Sequence, residues 1–579
     1  MKVKMQNKWP VWMIILVGIP LIFSCRTNEK QTADMILHNA YVYPVANDPI
    51  ENGAVVIHEG KIIDVGDSKS MLQKWETKKT ELIDCEGAFL MPGFIEGHGH
   101  FSGLGYNLIQ LDLLNTHSWQ EIIDSVEARV AKSRPGEWIV GRGWHQEKWN
   151  TPVNPNINGY PYHDALSKIS PNNPVMLTHA SGHSLIANKA AMGAASITKE
   201  TPDPTGGRIV RDNQKIALGV FEENAMDPIH SAYQDYRSKL TEEEKTQEWY
   251  KAIDEVQTHC LSYGISTFED MGSTFEEIAR YNELAKKDSL EIRLWALLRQ
   301  TFEELEGHLE GFPIIRSGND MFTCRGIKAY IDGALGSYGA WLLAPYNERP
   351  GFTGQNITPI EEIRNIANLC IENDMQFAVH AIGDRGNRTV LDIYEETMKA
   401  HPEKKDLRWR IEHAQHIDPA DMPRFKELNV IASMQAIHCT SDAPFVVKRL
   451  GEERARVSAY PWRSLLDEGV VIANGTDAPV ERVDPIPNFY AAVTRRRLDT
   501  GQVFYPEQAM TRKEALYSLT MANAYAAFED DIKGSLEVGK WADIVLLSHN
   551  LMTCPEDSIP NTKVVMTIVG GKVKYKGQF

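Results

Sequence analysis

An α/β fold is predicted for this sequence: a (β/α)8 TIM barrel, a small β-domain built from both chain ends, and a large insertion after the first barrel strand. Three observations predict it. Eight short apolar runs each lead into polar residues at their C-terminal ends. Amphipathic stretches such as ITPIEEIRNIANLCIEN (357–373) separate several of them, and strand-like segments of similar character stand at both termini. Strands alternating with helices make a parallel sheet, and a barrel of this kind carries its chemistry where its strands end.

The chain opens with Lys2, Lys4 and Lys8, followed by VWMIILVGIPLIFSC. This run is shorter than the ~20 apolar residues a spanning helix needs, and Pro20 interrupts it. A basic start, a short apolar core and a small residue before the cut describe a secretory signal over 1–25. Ile22-Phe23-Ser24-Cys25 resembles a bacterial lipobox, so Cys25 is the expected lipidation site. Residues 26–33 then read as a polar tether, and the protein is expected at the cell envelope, lipid-anchored on the periplasmic or outer face.

Residues 34–90 and 530–579 form the predicted β-domain. MILHNAYVYP (35–44) precedes GAVVIHEGKIIDVG (53–66), which turns on its EGK; KWADIVLLS (540–548) and VVMTIVGGKVKYKG (564–577) repeat the pattern, with Gly570-Gly571 as a turn. The barrel occupies 91–529. Its eight strands are read in GFIEGHGH (93–100), GISTFEDMG (264–272), IRLWALL (292–298), RGIKAYIDG (325–333), QFAVHAIGD (376–384), RWRIEHAQH (408–416), VIASMQA (430–436) and VVIANGTDAP (470–479). The gap between the first two far exceeds one connecting helix. An insertion over about 104–255, with strand-like pieces of its own (137–144 and 174–188), therefore leaves from the catalytic end of the barrel, where it is expected to act as a lid or substrate platform.

Two imidazoles, His98 and His100, share one face of the first strand because residues two apart point the same way. Lys328 lies in the fourth run, His380 ends the fifth, His413 the sixth and Asp477 the eighth. Imidazole and carboxylate ligands together suit Zn²⁺ or a related divalent ion. Each residue alone has a plainer reading: Lys328 pairing with Asp332, Asp477 capping a helix, a histidine packed in a core. Their joint arrival at successive strand ends of a closed barrel is what argues for a metal site.

The composition is that of an ordinary globular chain: 579 residues, 42% hydrophobic and 24% charged. A net charge of −17 with no long basic stripe argues against a nucleic-acid partner. Arg495, Arg496 and Arg497, the densest basic spot, read as a solvated helix face. The seven cysteines show no CxxC spacing and no disulfide framework, so the six beyond Cys25 are expected as small buried hydrophobes.

From about residue 34 onwards the chain resembles the amidohydrolase superfamily, in the branch called amidohydrolase family 3, or YtcJ-like. The resemblance rests on MPGFIEGHGH, on TPDPTGG followed by GVFEENAM, on GIKAYIDGALGS, AVHAIGD, IEHAQ and NGTDAPV, and on GSLEVGKWADIVLL. It implies a metal-dependent hydrolase whose terminal β-domain is a β-sandwich. By position, it implies that His98 and His100 hold a buried ion and that His380 and His413 hold a second. Asp477 would touch the buried ion and act as general acid and base on a metal-activated water. Lys328 stands where binuclear members carry a carbamylated lysine; one ion with an ion-paired lysine is the other reading. His179, His183 and Glu223 of the insertion match family positions facing substrate, and a structural role is weighed beside that for each. Gly206 and Gly207 serve a tight turn, and Trp144 and Trp149 either wall a pocket or pack a core.

The reaction so implied is hydrolysis of a C–N bond in a small amide, N-acyl or N-formyl compound (class EC 3.5). A deaminase is disfavoured because AIGD, without a glutamate, follows His380. A non-catalytic metal- or ligand-binding lipoprotein would not need Asp477. Oligomeric state is open, a homodimer being one expectation. For the anchor, Cys25→Ala is expected to move the protein out of the membrane fraction on cell fractionation, and normal processing with retained membrane binding would exclude lipidation.

Overall fold

The computed structural model describes residues 32–577, apart from 114–115, 147–148, 180–183, 205–206 and 337. Cys25 with its signal segment, His183 and Gly206 therefore lie outside the described residues. Eight parallel strands follow one another in chain order: β1 (Phe94–Gly99), β2 (Ile265–Ser273), β3 (Arg293–Leu298), β4 (Phe322–Tyr330), β5 (Gln376–Ala381), β6 (Arg410–His413), β7 (Ile431–Met434) and β8 (Ile472–Asn474). Each pairs with the next, and each overlaps one of the eight apolar runs, β4 starting three residues before its run. Helices cover the outside by apolar residues at helical spacing; Ile360–Glu372 buries Ile363, Ile366, Ala367 and Cys370 against the strands.

The seam between β8 and β1 closes without a regular ladder. A parallel bridge joins Gly99 to Ala478, the His100 amide donates to the Ala478 carbonyl at 2.7 Å, and the Asp477 amide donates to the His98 carbonyl at 2.7 Å. Side chains complete the seam. Glu96 Oε1 accepts the Thr476 amide at 2.6 Å and the His98 amide at 3.2 Å, while its Oε2 accepts the Thr476 hydroxyl at 2.9 Å. Further down, the Asn523 amide group donates to Ile95 on β1 and to Asn474 on β8, at 2.8 Å each. These bonds need the strands close together, and Gly475 makes that possible. A Cβ on Gly475 would stand 2.3 Å from the His98 nitrogen and 2.4 Å from Glu96 Oε1.

The two chain ends share one sheet, as expected, and its hydrogen bonding is continuous over eight strands. In order these are 572–576, 564–569, 544–547, 89–92, 35–42, 50–58 and 61–67, with 81–84 alongside 35–42. The helix Ser68–Trp75 covers one face, packing Met71 and Trp75 on Ile36, Ala54 and Val56. The sheet is tied to the barrel by a buried ion pair, Arg293 Nε to Asp543 at 2.7 Å, with the guanidinium stacked over Trp541 at 4.5 Å. Breaking one partner of such a pair costs more than the pair contributes, so the WAD of GSLEVGKWAD holds two units together.

The insertion leaves β1 through the helix Phe101–Leu108 and forms its own six-stranded sheet, in the order 207–211, 217–223, 184–187, 175–179, 139–144 and 111–112. Separate apolar clusters line this sheet, one holding Trp144 and Trp149 and the other Trp138 and Phe221. Core packing is thus the role of Trp144, fully buried with its indole donating to the Leu177 carbonyl at 2.8 Å, and of Trp149 beside it. Among the described residues the six cysteines are unbridged, five of them buried and Cys554 half-buried. No helix there is long and apolar enough to cross a membrane.

One member of the arginine run departs from the expected solvated face, while Arg496 and Arg497 pair with the surface acids Asp557 and Asp499. Arg495 is fully buried, donating to the carbonyls of Phe504 at 2.7 Å and Tyr460 at 3.0 Å and stacking on Trp462. It ends a helix in left-handed backbone (φ 50), which swings the guanidinium inward to satisfy carbonyls of two loops. For the seam, Gly475→Ala is expected to lower stability in denaturant unfolding by about 1–3 kcal/mol, the usual scale of overpacking. Gly193→Ala, in a helix with nothing within 4 Å of its Cβ, is the control and should raise stability by up to ~1 kcal/mol.

Candidate metal centre

Strand alternation delivers most of the centre. Glu96 and His98 of β1, His380 of β5, and Arg410 and Glu412 of β6 are inward-facing positions, and the register sets Tyr330 beside His380 and Ala381 beside His413. His413 follows inward-facing Glu412 and would point outward in a regular strand. Its left-handed backbone (φ 72) turns it back, so its ring lies 4.6 Å from that of His98 and 4.4 Å from that of His380. Asp477, just past β8, also has positive φ (59). Non-glycine residues held there cost energy and persist where the surroundings fix them, which is common at functional sites.

Around this point the side chains converge. Asp477 Oδ1 lies 3.3 Å from His100 Nε2 and 3.6 Å from His98 Nε2, and its Oδ2 lies 3.9 Å from Nε2 of His438. Two groups have ligand atoms close enough to share an ion: His98, His100 and Asp477, and His413, His438 and Asp477. His438 is the residue that sequence reasoning missed. It stands in the helix Ala436–Leu450 that follows β7, outside any strand, and its signal was only its place two residues after the MQA run.

The second ring of contacts orients these groups. The Glu412 carboxylate bonds His98 Nδ1, directing Nε2 at the centre. Gln435 Oε1 bonds His413 Nδ1 at 2.7 Å, and the Gln415 amide meets His438 Nδ1 at 3.2 Å. Behind Glu412, Arg410 bridges it at 2.7 Å to Glu269 at 2.6 Å, and also donates to Gly97 and Ser433 at 2.8 Å. All three charged side chains are fully buried. Burial pushes the Glu412 carboxyl up, but Arg410 and His98 outweigh it and hold it below the ordinary carboxylate range. Burial, then the charge of Lys328, keeps His98 down to about 4 and His380 down to about 3. Burial likewise lowers His413. Burial raises Asp477 as well, yet the imidazoles of His100, His98 and His438 bring it below its ordinary value. Neutral imidazoles beside an ionised carboxylate are the protonation states that ligate a cation.

The fit to a metal rests on orphaned atoms. His98 Nε2, His380 Nε2, His438 Nε2, Asp477 Oδ1 and Lys328 Nζ are buried with no hydrogen-bond partner. Unpaired buried polar atoms are rare because each costs its full desolvation, and the imidazole and carboxylate atoms among them fit a cation, whereas Lys328 fits one only with its amine uncharged or modified. The pairing of Lys328 with Asp332 does not form. Asp332 instead accepts the backbone amides of Trp341, Ile382 and Gly383 at 2.8–2.9 Å, and burial, set against those bonds, raises it to about 7. A cavity of about 340 Å³ opens over the centre, lined in part by His100, Lys328, His380, His413, His438 and Asp477.

The amidohydrolase family profile matches residues 81–575. This chain belongs to the amidohydrolase family. It is 28% identical to the putative amidohydrolase YtcJ of Bacillus subtilis over 93% of this chain and 99% of that one. It is 25% identical to the N-substituted formamide deformylase of Arthrobacter pascens, over 94% and 99%. Among solved structures it is similar to an uncharacterized metal-dependent hydrolase from Pyrococcus furiosus, with TM-score 0.70 and 27% identity over 90% of this chain and 100% of that one. This amidohydrolase is therefore a hydrolase with a divalent-metal site in a TIM barrel.

The expected substrate residues of the insertion sit apart from the described cavity lining. His179 is buried at the end of the strand Val175–His179, 3.1 Å from Gln146 and edge-on to Trp144 at 4.8 Å. Glu223 is exposed, in left-handed backbone (φ 51), at the end of Ala217–Glu223. No described residue of the insertion lines the cavity. Removing the carboxylate behind His98 tests the orienting shell: Glu412→Gln is expected to weaken zinc affinity about 10–100-fold, the usual effect of losing such a partner, measured by chelator competition.

Proposed function

We propose that this amidohydrolase cleaves a C–N bond in an amide, N-acyl or N-formyl compound, with Asp477 as general acid and base. The observation that carries the proposal is the set of orphaned imidazole, carboxylate and amine atoms around one cavity. The similarity to a protein named N-substituted formamide deformylase supports the amide class. His98, His100 and Asp477 would hold one divalent ion, zinc by its preference for these donors, with His413, His380 and His438 beside them. A bound ion supplies Lewis acidity that polarises a carbonyl and acidifies water.

The rest is the work of the chain. Asp477, ionised and open to the cavity, takes the proton of the attacking water as the C–O bond forms. It delivers that proton to the nitrogen as the C–N bond breaks, so the amine leaves neutral. Glu96 and the Thr476 amide hold the Asp477 loop against β1, which fixes the distance between acid and imidazoles. Lys328, buried with no hydrogen-bond partner for Nζ among the described residues, is suited to add CO₂ as a carbamate with release of its protons to solvent, and would then supply an anionic oxygen donor for a second ion. The proposal also carries His179, His183 and Glu223 as substrate contacts on the strength of their motif positions alone, since His179 and Glu223 stand apart from the described cavity lining. An envelope location through a lipid on Cys25 is supported by the basic and apolar residues ahead of it.

Asp477→Asn is expected to lose at least about 100-fold in kcat on an amide substrate, the scale of general acid–base removal, with a large part of the metal retained by elemental analysis. Near-normal turnover in that variant, or full activity after exhaustive chelation, would overturn the proposal.

A further inference from the structure

The cavity over the centre has a second chemical character beyond its imidazole floor. Leu335, Ile382, Phe445 and Val480 give it an apolar wall, and two carboxylates, Asp442 and Glu481, complete that part of the lining. Both acids are placed by the elements that carry the centre itself. His438 and Asp442 stand four residues apart in the helix Ala436–Leu450, one turn along the same face, with Phe445 three further on. Glu481 follows Asp477 by four residues in the loop after β8.

Neither carboxylate meets a cation. Asp442 accepts the Tyr460 hydroxyl at 2.6 Å as its one hydrogen bond among the described residues, and Glu481, half-buried, has neither hydrogen bond nor ion pair there. Carboxylates that line a partly enclosed cavity without a cation are costly to desolvate, and a bound positive group relieves that cost. Among the described lining residues Lys328 is the sole lysine and no arginine is present, so an anionic substrate tail would find no partner beyond the centre. His438 joins this part of the lining to the centre, since its Nε2 lies 3.9 Å from Asp477 Oδ2.

We infer that the amide cleaved here carries a cationic group, a primary ammonium or guanidinium on an apolar chain, and that Asp442 and Glu481 receive that group while the chain lies on Leu335, Ile382 and Phe445. This rests on the C–N hydrolase reading and names its substrate class.

The test separates the two. Two hydroxamates of equal length, 6-aminohexanohydroxamate and heptanohydroxamate, both chelate a divalent ion and differ only in an ammonium in place of a methyl. Their binding to the zinc-loaded full chain is measured by calorimetry. The amino compound is expected to bind about tenfold tighter, the scale of a charge-assisted contact in a partly desolvated site. The ratio should fall toward one in Glu481→Gln and in Asp442→Asn, which keeps an acceptor for Tyr460, and should invert in Glu481→Lys. If Asp442→Asn does not fold, the two Glu481 variants carry the test, since that side chain holds nothing else in place. A ratio of one or less in the parent overturns the inference. So does an unchanged ratio in the variants, or an equal fall for both compounds, the mark of acids that serve only the charge of the bound ion. Turnover of matched cationic and neutral amides is read in parallel. No hydrolysis of either, with the binding ratio retained, overturns the hydrolase reading alone; hydrolysis of both at equal kcat/KM overturns the inference alone.

Discussion

Glu96 takes three hydrogens across the barrel seam, from the Thr476 amide, the Thr476 hydroxyl and the His98 amide, and the rest of the site depends on that closure. β8 is only three residues long and has no ladder to β1, so side chains do what strand pairing does elsewhere in the barrel. The carboxylate is buried, which raises its pKa to about 8 against the pull of those hydrogen bonds. A buried acid survives there because every donor it needs is supplied by the two segments it joins. Those segments carry His98, His100 and Asp477. The same bonds that close the barrel therefore set the spacing of these three side chains of the centre.

A second buried network works from β6. Arg410 neutralises Glu269 and Glu412, and Glu412 in turn orients His98. Buried charges are poor contributors to stability but good at fixing one arrangement, since any shift strands a charge in a low-dielectric interior. The barrel interior is thus polar where it must aim imidazoles. It is apolar around Trp295, Leu297 and Ala378, where it only fills space. The chemistry at the mouth and the packing beneath it are separate layers of one cylinder.

Much of the fold was legible in the chain. All eight barrel strands overlap their apolar runs, and the shared terminal sheet was readable from matching patterns at both ends. Strands are local: a few apolar residues and a polar exit suffice to mark them. His98, His100 and His380 were legible for the same reason, as strand-end residues with inward periodicity. Arg495 was not, because its burial depends on carbonyls of loops around Tyr460 and Phe504 that no local pattern announces. His438 was missed because it sits in a helix after β7, where helical spacing also suits an ordinary core histidine.

By itself the sequence determined which strands exist, their order, and the donor types that reach the barrel mouth, because alternation and chain order are properties of the backbone. Only the tertiary structure decided which side chains share the centre. His413 arrives through a left-handed turn against its strand's alternation, and His438 and Asp442 arrive on one helix face brought over the mouth. It also decided that Lys328 has no acid of its own, since Asp332 is spent on three backbone amides. Those outcomes turn on distances between segments far apart in the chain, and distance across a closed barrel is set by packing rather than by any local run of residues.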